Sequence, residues 1–168
     1  SSSCPDSASV RTLSDLVHRL ERDTVAHTVI RAGDAWMVVA PSLAARIIGA
    51  GVCDENLLWT AEEFSTRGWA AGGNVGGART WIAPEGGPQG FFFGPDGASW
   101  DVPPEIDPGA YMPCPAEDGW LAFRNELTAR TADGARYPIA ITRGLRLEPL
   151  EAGNGLAAGG TILVDPGP

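Results

Sequence analysis

The chain has 168 residues and a net charge of −9, and 43% of its residues are hydrophobic and 20% charged. These proportions are ordinary for a folded domain, and the length is sufficient to bury a core. The acidic surplus leaves no basic surface for phosphate groups, so nucleic-acid binding is not expected. No apolar run reaches the roughly 18 residues of a transmembrane helix, so we expect no membrane span. The 22 glycines and 14 prolines favour turns and short strands over long helices.

One short helix is predicted near the start, within residues 12–22. Apolar residues recur at helical spacing from Leu13 to Leu20, and Thr12 followed by Asp15 matches a capping box. The apolar stripe of this helix is expected to pack on the rest of the domain. The residues before it are rich in serine, which is typical of a loosely held terminus.

From residue 25 onward the pattern changes to short strands. Runs of β-branched, aromatic and other apolar residues predict strands at 28–31, 36–40, 44–48 and 57–60. The many glycines within residues 65–79 predict a long loop.

The second half of the chain contains the clearest local signal. Phe91–Phe93 is expected to form a buried strand or an aromatic wall, and the Pro-rich residues 94–118 an irregular excursion. Asp133-Gly134 separates two strand-like runs, 120–131 and 137–147, which predicts a hairpin. A further strand is expected within residues 156–164.

The segment Gly76–Gly87 places an arginine, a tryptophan and a carboxylate between two pairs of glycines: Arg79, Trp81 and Glu85. A guanidinium can bond the hydroxyls of a sugar, and an indole can stack on the C–H face of its ring. We therefore expect this segment to line a ligand site. The structural alternative is a glycine-rich loop in which Arg79 pairs with Glu85.

Motifs of other chemistries are missing from the sequence. It has no G-x-S-x-G elbow, Walker loop or H-E-x-x-H helix. The acidic residues of 94–118 lack EF-hand spacing, and neither His18 nor His27 has a second ligand at metal spacing. We therefore predict no metal site and no cofactor. Cys53 and Cys114 form no CxxC motif, and either a disulfide between them or two free thiols fits the sequence.

Several blocks of the chain resemble the galactose mutarotase-like (aldose 1-epimerase) superfamily. The strand Trp36–Pro41 is followed by Ala-Ala-Arg-Ile-Ile at 44–48 and Asn-Leu-Leu-Trp at 56–59, in the order found at the start of such domains. Residues 76–87 resemble the G-G-x-R-x-W-x-x-P-E block of uncharacterised bacterial members. With the strand at 137–143, the resemblance spans about residues 25–150.

The resemblance implies an all-β fold, an antiparallel β-supersandwich with a short N-terminal helix. Residues 1–24 would be a flank, and residues 25–168 the first portion of a longer domain, so that the chain is a partial domain. The implied ligand is a sugar or glycan held in a cleft, with Arg79 contacting it. Trp81 and Glu85 would lie beside Arg79. We add Gln89 as a further hydroxyl contact and Trp100 as a further stacking surface.

Three functions therefore remain open. The first is a carbohydrate-binding domain. The second is an aldose 1-epimerase-type isomerase whose acid–base residues lie outside this chain, because no histidine follows His27 to match the catalytic one of the family. The third is a structural or interaction domain without a sugar ligand. The compartment stays open as well: the protein would be secreted, periplasmic or lipid-anchored if Cys4 is a processed N-terminus.

Overall fold

The computed structural model describes residues 9–62, 64, 74–87, 89–148 and the backbone of 162–165. Within these residues the fold consists of one helix and two four-stranded antiparallel sheets, which agrees with the all-β expectation. The elements are α1 (Leu13–Arg22), β1 (Thr28–Ala32), β2 (Ala35–Ala40), β3 (Arg46–Val52), β4 (Glu55–Asn56), β5 (Met112–Cys114), β6 (Leu121–Arg130), β7 (Arg136–Leu145) and β8 (Ile162–Asp165). The sheets have the orders β1-β2-β3-β4 and β5-β6-β7-β8.

Helix α1 forms where the sequence predicts it. The Thr12 hydroxyl accepts a hydrogen bond of 3.1 Å from the Asp15 amide, which satisfies one of the free N–H groups at the helix start. Leu13, Leu16 and Leu20 are buried against the first sheet. The predicted flank, residues 1–24, therefore contributes its helix to the core of the first sheet.

Strand β2 lies in the middle of three layers and is buried on both faces. Trp36 and Val38 pack with the leucines of α1, whereas Met37 and Val39 pack with residues of the second sheet. A strand covered on both sides needs no polar alternation, which explains its continuous apolar sequence. The order of layers is thus helix, first sheet, second sheet.

Two predicted strands of the first sheet were misplaced. The predicted strand at 44–48 begins later, at Arg46, because a 3₁₀ turn (Pro41–Leu43) and the positive φ angles of Ala44 and Ala45 form a corner first. The predicted strand at 57–60 is wrong. The strand there is β4, after which Leu57 and Trp59 turn outward and are exposed, and Thr60 makes only an isolated bridge.

The hairpin of β6 and β7 confirms the strongest local prediction. The two strands pair over their whole lengths, from Leu121 opposite Leu145 to Arg130 opposite Arg136. The carboxylate of Asp133 closes the turn by accepting from the Thr131 hydroxyl at 2.5 Å. Strand β8 overlaps the predicted strand at 156–164 only in its last residues, since 156–161 lie outside the described residues.

The chain between β4 and β5, residues 57–111, is called the connector below. Most of the loop predicted at 65–79 lies outside the described residues, and so does Cys4. Phe91–Phe93 forms isolated bridges rather than a strand, and Phe92 is buried with Val102 and Ile106 in a small core of its own. The irregular excursion predicted at 94–118 is interrupted by β5.

Cys53 and Cys114 are both free thiols, so the alternative of a disulfide between them is wrong. Across the described ranges, no helix has the length and apolar character needed to cross a bilayer.

Candidate functional site

The segment that carries the predicted site residues is attached to the edge of β3. The amide of Ala78 donates to the Ile47 carbonyl at 2.8 Å, and the Ile47 amide donates back at 2.9 Å. On the other side, the Gly77 amide donates to the Trp59 carbonyl at 2.9 Å. The segment therefore lies between β3 and the chain around Trp59, and these bonds fix the backbone that presents Arg79.

The glycine pair at the start of this segment is required by packing. Gly76 and Gly77 have φ angles of 77° and 69°, which side chains other than glycine rarely adopt. A Cβ atom on Gly76 would lie 2.5 Å from Cε3 of the Trp59 ring and would also overlap the Trp59 carbonyl. A Cβ atom on Gly77 would overlap the Ile47 carbonyl. These glycines thus permit the close approach of the segment to both neighbours.

Trp81 contacts Arg79 on one side and Glu85 on the other, and the three residues are called the surface triad below. The guanidinium carbon of Arg79 lies 4.0 Å from the ring centroid of Trp81, a cation–π geometry. The indole N–H of Trp81 donates to the Glu85 carboxylate at 2.5 Å. Glu85 is exposed, and the Arg79 side chain retains 22% of its exposure. The structure therefore brings together three of the predicted site residues.

The structural alternative predicted an ion pair between Arg79 and Glu85, and this prediction is wrong. Arg79 forms its ion pair with Asp107, at 2.6 Å between Nη1 and Oδ2, and Glu85 binds Trp81 instead. The indole is also less accessible than predicted, because Arg79 lies over its ring and Phe92 contacts it with the ring centroids 5.1 Å apart. The hydrogen-bonding groups of Arg79 and Glu85 are therefore more accessible to a ligand than the ring face of Trp81.

Gln89 and Trp100 occupy two other positions on the connector. Gln89 is exposed in a turn that the Gly90 amide closes by donating to the Gly87 carbonyl at 3.1 Å. Trp100 is 41% exposed and lies opposite Phe93 in a short antiparallel bridge. Both side chains are accessible to solvent, and their roles in binding stay predictions.

A buried cluster that the sequence did not predict lies beneath the triad, and in it Asp107 interacts with two arginines. Its Oδ2 pairs with Arg79, and its Oδ1 lies 3.5 Å from Nη2 of Arg46. The side chains of Arg46 and Asp107 are only 5% and 3% exposed, so this carboxylate lies inside the protein. Arg46 also donates from Nη1 to the Gly76 carbonyl at 2.7 Å. Burial, aided by repulsion from Arg79 and opposed by Asp107, lowers the pKa of Arg46 to about 10.

Arg143 extends the cluster to the second sheet. Its guanidinium donates to the Ala45 carbonyl at 2.8 Å and to the Ala78 carbonyl at 3.3 Å. Burial lowers the pKa of Arg143 as well. The sequence did contain a signal for this residue, because Arg143 falls on the inward-facing side of β7 between Ile141 and Leu145. An arginine at such a position indicates a buried polar partner.

The buried arginines and the surface triad can make different interactions. The buried arginines bond main-chain carbonyls and one carboxylate, so they attach the connector to both sheets. The surface triad offers a guanidinium donor and a carboxylate acceptor at the surface. Within the described part of the chain, no histidines, cysteines, aspartates or glutamates form a group that could hold a metal ion.

Protein-family models, curated proteins and solved structures were each compared with the chain, and none of them matches it.

Proposed function

We propose that this chain is a carbohydrate-binding domain with the supersandwich fold of the galactose mutarotase-like superfamily. The surface triad would contact the sugar, with Gln89 and Trp100 as outer contacts. One observation supports the site above all: the Arg79 guanidinium is held between the buried Asp107 carboxylate and the Trp81 ring. A donor and an acceptor suited to hydroxyl groups are thereby fixed close to each other on an accessible part of the connector.

The two charged ends of the triad suit neighbouring hydroxyls of a sugar. The guanidinium of Arg79 donates hydrogen bonds, and the exposed carboxylate of Glu85 accepts them. Because Asp107 and Trp81 already order these side chains, little conformational entropy is lost on binding. A few such bonds and limited ring contact support weak binding, on the order of millimolar to micromolar.

The stacked sheets support the sandwich part of the proposal. Met37 and Val39 of β2 share one hydrophobic core with Phe123 of β6 and Ile141 of β7. Two antiparallel sheets whose inner faces form a common core are the basic unit of a β-sandwich. The assignment to the supersandwich family rests in addition on the sequence resemblance of residues 25–150.

Glu85 provides the direct test, because it is exposed and its replacement leaves the ion pair between Arg79 and the buried Asp107 intact. Binding of galactose, glucose and mannose, and of cellotriose, maltotriose and mannotriose, is measured by calorimetry for the unaltered chain and for Glu85→Gln. We expect Glu85→Gln to weaken binding about tenfold, since hydrogen bonds to charged groups contribute about 1.5–3 kcal/mol. Met112→Ala is the control, because Met112 is 68% exposed on β5. Equal affinity of Glu85→Gln and the unaltered chain would refute a sugar site at the triad.

A structural role without ligand is the second candidate, and a specific observation favours it. Each member of the triad already has a partner inside the protein: Asp107 for Arg79, Arg79 for Trp81, and Trp81 for Glu85. Under this reading, Arg79→Ala lowers the free energy of unfolding, and no glycan binds to either protein. Denaturant unfolding and a glycan array of both proteins distinguish the two candidates.

A further inference from the structure

A cavity of about 230 Å³ lies where the chain before α1 passes the start of the connector. It is lined by Ser9–Arg11 on one side and by Asn56–Trp59 on the other. Trp59 and Leu57 are 43% and 53% exposed, and Arg11 is exposed as well. The cavity therefore combines an aromatic ring, an aliphatic side chain and a cation, all accessible to solvent.

Trp59 is held as a fixed platform at this cavity. Its ring lies against Gly76, where only a glycine leaves room for it, and its carbonyl accepts from the Gly77 amide at 2.9 Å. Packing thus fixes part of the indole while the rest is exposed. A fixed and partly exposed indole is a suitable surface for the C–H face of a sugar ring.

The wall beside Trp59 is also ordered before any ligand binds. The side-chain amide of Asn56 donates to the Val10 carbonyl and to the Thr60 hydroxyl, each at 3.0 Å. Its oxygen accepts from the amides of Ala50, at 3.3 Å, and Leu58, at 3.2 Å. These four bonds fix the loop that carries Trp59, so a ligand would not have to order it.

The cavity lies close to the surface triad. Gly76, which contacts the Trp59 ring, precedes Arg79 by three residues, and three extended residues span at most about 11 Å. Arg46 links Gly76 to Arg79 beneath the surface, since it donates to the Gly76 carbonyl and interacts with Asp107, the partner of Arg79. The cavity and the surface triad are therefore connected by one short, ordered stretch of chain.

We infer that Trp59 and its cavity form a second subsite for the proposed glycan, holding a pyranose unit adjacent to the one at the surface triad. This inference rests on the proposed function. The ligand is then an oligosaccharide, and a monosaccharide should bind less tightly because it fills only one of the two subsites. Arg11 donates to hydroxyls of the second unit, and Trp59 stacks on its ring.

The test compares one sugar unit with three. Binding of glucose, galactose and mannose, and of cellotriose, maltotriose and mannotriose, is measured by calorimetry for the unaltered chain, Glu85→Gln, Trp59→Ala, Arg11→Gln and the control Met112→Ala. We expect Trp59→Ala to weaken trisaccharide binding roughly 3- to 10-fold, the range of one aromatic contact, and to leave monosaccharide binding unchanged. Arg11 is exposed, so Arg11→Gln should not disturb folding, and it should also weaken trisaccharide binding. Met112→Ala should change neither.

The outcomes separate the second subsite from the proposed function. Trisaccharide binding that is weakened by Glu85→Gln but unchanged in both Trp59→Ala and Arg11→Gln would overturn the second subsite and leave the triad site standing. Binding weakened by Trp59→Ala but not by Glu85→Gln would refute the triad site. If none of the six sugars binds the unaltered chain, both proposals are refuted.

Discussion

Replacing Asp107 by asparagine tests whether one buried carboxylate holds the connector to the first sheet. The change removes the negative charge that Arg46 and Arg79 share, and it leaves the Arg46 guanidinium, 5% exposed, without a charged partner among the described residues. Breaking a buried ion pair in this way costs about 3–5 kcal/mol. Because Arg79 keeps 22% of its exposure and water can partly replace its partner, we expect the lower end, about 3 kcal/mol.

The loss is measured by urea unfolding followed by circular dichroism. With a slope of about 2 kcal/mol per molar urea, a loss of about 3 kcal/mol lowers the midpoint by about 1.5 M. Asp101→Asn is the matched control, since Asp101 is exposed on the same connector and its replacement should change stability by less than about 0.5 kcal/mol. A midpoint for Asp107→Asn equal to that of the control would refute the reasoning that this buried cluster stabilises the fold.

Three other changes test separate parts of the structure. Thr12→Ala should lower the free energy of unfolding by about 1 kcal/mol through loss of the helix cap, and an unchanged thermal midpoint would contradict that. Gly76→Ala should cost about 2 kcal/mol more than Gly134→Ala in urea unfolding, because both have positive φ but only Gly76 lies against Trp59; equal losses would show that packing is not the cause. Hydrogen bonds from the backbone amides of Ala98 and Ser99 lower the pKa of Asp96 from 3.8 to about 2. Ionisation of Asp96 therefore stabilises the fold above pH ~4, and this contribution is lost as the pH falls towards 2. Asp96→Asn should therefore flatten the decline of the thermal midpoint over this range, and a decline as steep as in the unaltered chain would count against it.

Local signals in the sequence predicted the local elements. The leucine spacing and Thr12 gave helix α1, and Asp133-Gly134 gave the hairpin of β6 and β7, because the interactions that define these elements lie within a few residues. The strand expected at 57–60 failed for a physical reason. The Asn56 side chain bonds the Leu58 amide and turns the chain outward, so Leu57 and Trp59 are exposed although their composition suits a strand.

The buried cluster depends on contacts that are distant in sequence. Asp107 meets Arg46 from 61 positions away, and Arg143 bonds the Ala45 carbonyl from 98 positions away. No short motif encodes such a pairing, and Asp107 stands in an acidic, Pro-rich stretch that resembles a solvated loop. Arg143 is the one member of the cluster that the sequence pattern could have indicated, since its place on the inward face of β7 implies a buried partner. The surface triad was found because its members are only a few residues apart.

The buried arginines Arg46 and Arg143 bind the main chain of the connector, at the carbonyls of Gly76 and Ala78. Every residue type supplies a carbonyl, so this attachment does not depend on the side chain at position 78, which is exposed. Variation there can alter the outer surface of the segment while its anchorage is retained. Such a segment is a suitable place for related sequences, or an engineer, to change what the surface recognises without having to rebuild the interior.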